Sequence, residues 1–392
     1  MMRARFGFLS AVLLVSVMFI TESCEKIGIG KEYDKVVLLY VAANNNLSSF
    51  ALDNMVALKD GYLPSVNDES ILLVYKHISG FKPALVRLFK DPDGLPVEEV
   101  VAAYEDHNSA SPDVLKGVLN KIKTIFPADD YGLILWSHAT GWLPKGEYGS
   151  TKAPGVSFED PYGSIVKSFG EDRGTEMEIF ELREAIPFKL DFLIFDCCYM
   201  GGIEVAYELR NKADYIMAAP TEILATGFPY DKVIRPLFEY RTDLEEVANI
   251  YYTFYAPKDP SNSTIYNSAT IALYDTDDIE ELGVICETIF STNRDKIAAV
   301  NRFSVQPYFR LGQDYFFDLD DFVSRIATPS QLLIFRELLD DVVITKWATE
   351  KFLDIPIEHY SGVSVYIPDN PSGDLENFYK SLEWNKRTKL VN

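Results

Sequence analysis

Cys198 and His138 are the side chains whose types and positions could perform covalent chemistry. A thiolate attacks a peptide carbonyl readily, and an imidazole can protonate the amine that leaves. Apolar runs of strand length, residues 133–136 and residues 192–195, lead to His138 and Cys198 respectively. Side chains at strand ends of a parallel sheet can meet across it, although 60 positions separate these two in the sequence. The pair predicts a cysteine nucleophile with a histidine partner.

Both residues also have simpler explanations. A single histidine after a strand is more often structural than catalytic, and a cysteine in that position is often a buried core residue. The other three of the four histidines lie at a strand end, in a loop and in a polar turn: His77, His107 and His359. On residue type and spacing alone, both interpretations of His138 and Cys198 remain open.

The cysteine count argues against a disulfide scaffold. There are four cysteines, and Cys24 lies in an N-terminal targeting segment, which leaves Cys197, Cys198 and Cys286. Adjacent cysteines rarely bond to each other, and an odd number leaves at least one free thiol. A free thiol in an exported protein needs a reason. Catalysis is one, and burial on an apolar helix face is another, which fits Cys286.

Apolar runs of strand length alternate with amphipathic helical patterns along the chain. Helices are predicted to begin at Ser48, at the Ser111-Pro112 cap and at Ile203. Strands are predicted at residues 35–42, 70–77, 84–89, 133–136, 192–195, 215–218, 269–274 and 362–367. Strands that are apolar on both faces indicate an α/β fold, with a mainly parallel sheet and helices on both faces. From Leu244 onward helices predominate, which predicts a helix-rich C-terminal extension.

Active sites in such sheets lie beyond the carboxyl ends of the strands. This rule selects residues 44–46, His138, residues 197–198 and residues 219–222. Residues 141–172 are rich in Gly, Pro and Lys and show little periodicity. We therefore expect a long surface loop there, of the kind kept for function or processing.

The N-terminal residues predict export. Arg3 and Arg5 precede an apolar run over residues 6–20, which is too short for a membrane span and typical of a signal peptide. The run ends before Cys24, where a lipoprotein signal places the cysteine that becomes the lipidated first residue. We expect residues 1–24 to be a lipoprotein signal and a lipid on Cys24 to be the contact with the membrane. Ordinary signal cleavage nearby is the alternative.

The composition and net charge limit the classes of molecule that the protein could bind. The 47% hydrophobic and 24% charged residues are those of a globular protein. A formal net charge of -22 would repel nucleic acid over the whole surface, whereas a basic substrate is compatible with it.

Several segments together resemble the clostripain-like cysteine peptidases, which belong to the group that includes caspases, gingipains and legumain. The resemblance runs from Val37 to about Pro368 and is most specific in Phe195-Asp196-Cys197-Cys198-Tyr199-Met200-Gly201. Supporting matches are residues 42–47, 126–129, 133–138, 204–209, 227–230, 318–322 and 362–368. The resemblance implies a caspase-like fold with His138 and Cys198 as the catalytic residues.

The resemblance also suggests how substrate is held. Cys198 is the nucleophile, and Cys197 stands where the family usually has Ala. Asp196 matches a residue that lines the primary specificity pocket, which implies cleavage after Arg or Lys. A helix-capping or loop-bonding carboxylate is the alternative for Asp196. Glu222 is the nearest candidate for the further acidic group that basic-specific members carry.

Ala139 departs from the family pattern. The histidine is normally followed by Gly, whose backbone N–H joins that of the nucleophile in an oxyanion hole. The N–H groups of Cys198 and Ala139 would fill this role here, but a positive φ would strain an alanine. This departure keeps open a different class of function, a catalytically silent relative that binds peptides or envelope partners.

Some clostripain-like enzymes are zymogens that are cut between the His and Cys strands. Among the lysines of residues 141–172, Lys152 has the neighbours most typical of a flexible loop, which makes it the candidate for self-processing; a solvated surface lysine is the simpler interpretation. No motif requires a metal or another cofactor. Acidic turns at residues 91–94 and 275–278 could attract calcium, on which clostripain depends, but neither matches an EF-hand.

The sequence thus predicts an exported cysteine endopeptidase that acts on proteins or peptides, with a Cys-His dyad and a preference for Arg or Lys. A preference for neutral or acidic residues is a weaker possibility. We expect a linker at residues 25–34, the caspase-like peptidase core at residues 35–240, and the C-terminal part of the same peptidase unit at residues 241–392.

Overall fold

A computed structural model describes residues 32–147, 170–256, 267–309, 315–369 and 373–392. Three expectations fall outside the described residues: the signal peptide at residues 1–24, lipidation at Cys24, and self-processing at Lys152. Residues 25–31 of the expected linker are also outside them, and the end of that linker belongs to the first strand, which begins at Tyr33. Among the described residues, no helix is both long enough and apolar enough to cross a membrane.

Within the described ranges, nine strands form the central sheet and four short strands lie outside it. In chain order the strands are β1 (Tyr33–Ala43), β2 (Ser70–Ile78), β3 (Ala84–Lys90), β4 (Pro96–Ala103), β5 (Ala128–Trp136), β6 (Leu190–Asp196), β7 (Ala213–Ala218), β8 (Thr270–Asp275), β9 (Phe317–Asp318), β10 (Val343–Ala348), β11 (Lys351–Phe352), β12 (Ile355–Pro356) and β13 (Ser364–Val365). The sheet order is β10-β8-β7-β6-β5-β1-β2-β3-β4. The five strands from β7 to β2 are parallel, and two antiparallel strands flank them on each side. The predicted α/β class with a mainly parallel sheet is confirmed.

Helices cover both faces of this sheet. They are α1 (Ser48–Asp60), α2 (Pro112–Ile125), α3 (Ile179–Ala185), α4 (Ile203–Leu209), α5 (Tyr230–Leu237), α6 (Leu244–Tyr255), α7 (Ile279–Thr292), α8 (Arg294–Ala299), α9 (Leu319–Ile326), α10 (Pro329–Val342), α11 (Asp374–Tyr379) and α12 (Glu383–Thr388). Helices α1, α5 and α6 pack on one face, and the others lie on the opposite face. In β1, even-numbered residues from Val36 face one hydrophobic core and odd-numbered residues from Val37 face the other. Burial on both sides explains why β1 is an unbroken apolar run.

The strand register aligns the residues that follow the central strands. Val41 of β1 pairs with Trp136 of β5, and Trp136 pairs with Asp196 of β6. The carboxyl ends of three neighbouring parallel strands therefore reach the same edge of the sheet. The chain continues from them into the asparagines after β1, into His138 and into Cys198, as the strand-end rule predicts.

Two strands were missed, and one predicted strand is shorter than expected. β4 and β10 were not predicted, because both are edge strands with largely exposed side chains and no continuous apolar run. The predicted strand at residues 362–367 is reduced to β13, which pairs with β9 outside the main sheet. The C-terminal part is helix-rich, as expected, and its strands β8 and β10 extend the central sheet.

Residues 141–172 were expected to be a surface loop, and their two ends are not. Trp142 is fully buried, with its ring centroid 5.2 Å from that of Tyr366 and 4.9 Å from that of Tyr379. At the other end, Asp172 is 1% exposed. Both ends are thus built into the folded core; residues 148–169 between them lie outside the described residues.

Candidate active site

A small cavity at the carboxyl edge of the sheet brings the predicted catalytic residues together. It is lined by Leu47, Trp136, Ser137, His138, Asp196, Cys197, Cys198, Ile223, Leu224, Ala225 and Gly227. Its volume is about 20 Å³, enough for little more than one water molecule. His138 and Cys198, predicted from the ends of two strands, therefore face one shared space.

His138 is held through both its ring and its backbone. Its Nε2 lies 2.7 Å from Oδ1 of Asn46, in the turn after β1. Its carbonyl accepts a hydrogen bond of 3.1 Å from the N–H of Gly170. Only 3% of His138 is exposed. The strand-end rule selected residues 44–46 as a group, but sequence reasoning missed the contact between Asn46 and the histidine.

The sulfur of Cys198 is in contact with the segment that follows β7. Sγ accepts from the N–H of Ile223 at 3.3 Å and lies 3.6 Å from the carbonyl oxygen of the same residue. Cys198 is 7% exposed, so the thiol reaches the cavity but hardly reaches solvent. The backbone of Ile223 therefore covers one side of the sulfur.

The neighbouring residue, Cys197, also lines the cavity, but its sulfur contacts a different partner. Cys197 Sγ lies 3.6 Å from the carbonyl oxygen of Leu135, whereas Cys198 Sγ contacts the backbone of Ile223. Burial raises the pKa of the Cys197 thiol well above its usual value, which keeps that thiol protonated. Cys286 is fully buried within α7, so its expected core position is confirmed.

Asp196 is a buried carboxylate at the end of β6 and also lines the cavity. It is 4% exposed, and its Oδ2 accepts from the Tyr230 hydroxyl at 2.8 Å and from the Phe228 N–H at 3.2 Å. Burial raises the pKa of the Asp196 carboxyl to about 7, since these two donors compensate only in part for lost hydration. The carboxylate makes the loop bond of one interpretation and also lines the cavity, while its role in specificity stays a prediction.

Gly227 makes room for this carboxylate. Its φ is +69°, and a Cβ there would lie 2.7 Å from Asp196 Oδ2. A glycine is therefore required both by the backbone conformation and by the close approach of the carboxylate. Glu222, five residues earlier, is 1% exposed and is not among the described residues that line the cavity.

The concern about Ala139 was wrong. Among the described residues, the non-glycine positions with positive φ are Arg173, Tyr199, Leu353 and Lys389, so Ala139 has no such strain. The left-handed conformation falls two residues later at Gly141, with φ +63°, where a Cβ would lie 2.6 Å from the Tyr199 carbonyl oxygen.

Tyr199, directly after the nucleophile candidate, has φ +60°. Its ring stacks on Phe316 with centroids 5.0 Å apart, and it contacts Phe309 at 5.2 Å. These aromatic contacts hold a backbone conformation that an L-residue seldom adopts.

The remaining candidates lie elsewhere. His77, His107 and His359 do not line this cavity. In the two acidic turns, Asp91 Oδ1 accepts from the N–H groups of Asp93 and Leu95, and Asp275 Oδ1 accepts from that of Asp277. Within the described ranges, no group of three or more His, Cys, Asp or Glu side chains is arranged to hold a metal ion.

Comparison with known proteins places the chain in a family. The sequence profile of the clostripain family, peptidase C11, matches residues 39–390. Clostripain of Hathewaya histolytica is 29% identical over 228 residues, which cover 52% of this chain and 42% of clostripain. The matched region thus spans less than half of that relative's length.

Two solved structures resemble the whole described fold. One is an inactive zymogen of a C11 protease from Parabacteroides distasonis, 32% identical, with a TM-score of 0.78, covering 92% of this chain and 99% of that one. The other is a secreted C11 cysteine protease from Bacteroides thetaiotaomicron in complex with an irreversible peptide inhibitor. It is 28% identical, with a TM-score of 0.77, covering 91% of this chain and 99% of that one. The chain therefore belongs to the clostripain family of cysteine peptidases.

Proposed function

We propose that this protein is an exported cysteine endopeptidase that cleaves peptide bonds after Arg or Lys. The observation that carries the proposal is the shared cavity, in which Cys198 and His138 stand beside a buried carboxylate, Asp196. Thiol, imidazole and carboxylate at one strand edge supply a nucleophile, a proton carrier and an anchor for a cation.

In the proposed mechanism, the Cys198 thiol transfers its proton to His138, and the thiolate attacks the carbonyl carbon of the scissile bond. A C–S bond forms while the carbonyl electron pair moves onto oxygen, where the N–H groups of Cys198 and Ala139 stabilise the negative charge. His138 then gives its proton to the leaving amine as the C–N bond breaks. Water, deprotonated by His138, hydrolyses the resulting thioester and restores the thiol.

Asp196 gives the proposed specificity. A guanidinium or ammonium group in the pocket would replace the missing hydration of this carboxylate, whereas a neutral side chain would leave it without a charged partner. The raised pKa of Asp196 in the substrate-free protein supports this role, because it reflects a carboxylate that its own fold stabilises incompletely. Glu222, the other carboxyl expected to bind the basic side chain, does not line the described cavity, so we propose no substrate contact for it.

The described cavity is too small for such a side chain. About 20 Å³ holds a water molecule, not a lysine or an arginine. Productive binding therefore requires residues 223–227 to move away from Cys198 and Asp196. We propose that self-processing at Lys152 favours this opening. Wild-type protein should then split within residues 141–172, while Cys198→Ala and Lys152→Ala stay whole and Lys145→Ala still splits.

The alternative, a catalytically silent protein that binds peptides, depended on a strained Ala139. Ala139 does not have the positive φ that would strain it. A direct test uses peptidyl amides with Lys, Arg, norleucine or Glu before the scissile bond. We expect turnover of the Lys and Arg substrates and none with Cys198→Ala or His138→Ala. A peptidyl-lysine chloromethyl ketone should alkylate Cys198, with chloride as the leaving group. No turnover of any substrate, together with an unlabelled Cys198, would favour the binding function.

Export and anchoring belong to the same proposal. The predicted signal at residues 1–24 and a lipid on Cys24 would place the protein at the cell envelope, with a protein or peptide as its substrate. Mass spectrometry of the mature N-terminus tests this directly. Lipidated Cys24 is the expected result, and release of protein by Cys24→Ser the expected consequence; an unmodified N-terminus would leave secretion without an anchor.

A further inference from the structure

Three consecutive asparagines follow β1, and the side chain of each contacts a different residue. We call Asn44, Asn45 and Asn46 the asparagine turn. Asn46 Oδ1 lies 2.7 Å from Nε2 of His138. Asn45 donates through Nδ2 to the carbonyl of Glu171 at 2.8 Å, and Asn44 donates through Nδ2 to Oδ1 of Asp172 at 2.8 Å. The turn therefore connects the histidine to the segment at residues 170–172.

That segment also holds the backbone on either side of the histidine ring. The Gly170 N–H donates to the His138 carbonyl at 3.1 Å, and the Glu171 N–H donates to Ser137 Oγ at 3.2 Å. Ser137 Oγ in turn donates to the Ala42 carbonyl at 2.8 Å, at the end of β1. Ring and backbone of His138 thus depend on the same short segment.

Asp172 is the fixed point of this network. Its carboxylate accepts from Asn44, from the N–H and hydroxyl of Ser109 at 2.7 and 2.9 Å, and from Arg173 Nε at 3.0 Å. In addition, His77 Nδ1 lies 3.1 Å from Oδ2 of Asp172. Burial alone would raise the pKa of Asp172, but these partners outweigh it and hold that pKa well below its usual value.

We propose that Asp172 is a positioning residue for His138. Its bond to Asn44 fixes the asparagine turn, so that the side-chain oxygen of Asn46 accepts from His138 and keeps the imidazole proton on Nε2. The other ring nitrogen, Nδ1, then exchanges the proton with the sulfur of Cys198. Without this anchor the ring would sample both tautomers and more than one orientation. This inference rests on the proposed function, since it specifies how the proton carrier is held.

The tautomer can be observed without catalysis. The chain contains four histidines, so long-range proton–nitrogen correlation spectra of ¹⁵N-histidine-labelled protein will show few signals. We would record them on the full chain carrying Cys198→Ala, at a pH where the imidazole is neutral, and identify the His138 signal by its loss in His138→Gln. A single tautomer protonated at Nε2 is expected. A proton on Nδ1 would overturn the proposal.

Two substitutions then separate positioning from general destabilisation. Asp172→Ala and Asn44→Ala should both give averaged signals from the two tautomers of His138. Asn44→Ala is the safer variant, because it leaves the bonds between Asp172 and Ser109 in place. The control is Asp106→Asn, which alters an exposed carboxylate bonded to Arg173 and 3.4 Å from His77, outside the asparagine turn. Its His138 signal should stay unchanged.

The same variants in the active chain give the second readout. Asn44→Ala should lower kcat for a peptidyl-lysine amide about 10-fold and Asp172→Ala up to about 100-fold, with KM unchanged, because a misplaced proton carrier affects the chemical step. Asp106→Asn should match wild type. A single unchanged tautomer in both variants would overturn the positioning role even if the enzyme is active. Altered tautomers with no turnover in wild type would instead contradict the proposed function.

Discussion

Asp172 and Asp196 are the same residue type, both buried at the same edge of the sheet, and their pKa values shift in opposite directions. Burial raises the pKa of Asp196 to about 7, because a hydroxyl and one N–H are its donors. Asp172 exposes as little surface to solvent but is less completely desolvated, and its five contacts, two of them with Arg173 and His77, hold its pKa well below the usual value. Weaker desolvation and a larger supply of hydrogen bonds and charged partners together keep Asp172 ionised.

The opposite pKa shifts suit the two carboxylates to different roles. A carboxylate with every partner supplied by its own fold has nothing left for a ligand and serves as a rigid anchor. A carboxylate whose charge is costly in the free protein gains most when a cation arrives. The comparison therefore predicts that Asp196 governs specificity at some expense of stability, whereas Asp172 governs stability and geometry.

The largest expected effect is on specificity. Asp196→Asn keeps the shape of the side chain and removes its charge, so kcat/KM for peptidyl-Lys and peptidyl-Arg substrates should fall about 1,000-fold. Turnover of a norleucine substrate should stay the same or rise. The measurement is kcat/KM on matched peptides, with Glu222→Gln as the control for loss of a nearby buried carboxyl. Equal losses for Lys and norleucine would show that Asp196 does not select the basic side chain.

Stability should respond in the opposite order. Asp172→Asn puts an amide donor among the Ser109 and Arg173 donors, so we expect the free energy of unfolding to fall by about 3 kcal/mol. Asp196→Asn should be neutral or stabilising at neutral pH, because it removes a buried charge. Urea unfolding of both variants in the Cys198→Ala chain measures this difference. Similar losses for the two variants would remove the distinction between anchor and specificity residue.

The pH dependence of the two carboxylates should also have opposite signs. The unfolded chain releases the Asp196 proton near pH 4, whereas the folded chain holds it until about pH 7. Between these values the folded state binds more protons, so the Asp196 contribution to stability falls as pH rises. For Asp172 the folded pKa is depressed, so its contribution is complete above pH 4 and is lost as pH falls below that. Unfolding measured from pH 3 to pH 8, each variant against its parent, should show both slopes.

A smaller effect is expected at Gly227. Gly227→Ala strains a φ of +69° and places a methyl group 2.7 Å from Asp196 Oδ2, so it should destabilise the protein by about 2 kcal/mol and reduce Lys turnover about 10-fold. Gly80→Ala is the matched control, with φ +85° and no atom within 4 Å of the added Cβ. It should show the strain alone and keep full activity. Equal activity in the two variants would mean that the displaced carboxylate does not matter.

The sequence predicted the central strands and the catalytic pair, but not the different environments of Asp172 and Asp196. The central strands were predictable because two-sided burial leaves an unbroken apolar run, and strand ends pointed to His138 and Cys198. The edge strands β4 and β10 left no such run. Asp172 lay in a presumed surface loop, and its contact with Asn44 spans 128 positions, as that of Asn46 with His138 spans 92. Local composition carries no information about such pairings or about the φ of Ala139.

The smallest effect is expected for the thiol beside the nucleophile. Cys197 points toward the Leu135 carbonyl and its raised pKa keeps it a neutral core residue, so Cys197→Ala should retain activity within about 2-fold. Cys198→Ala, one residue later, should abolish turnover. An irreversible thiol reagent should label one cysteine in wild type and in Cys197→Ala, and none in Cys198→Ala. Labelling of Cys197 in the native protein would show that burial does not make this thiol less reactive than that of Cys198.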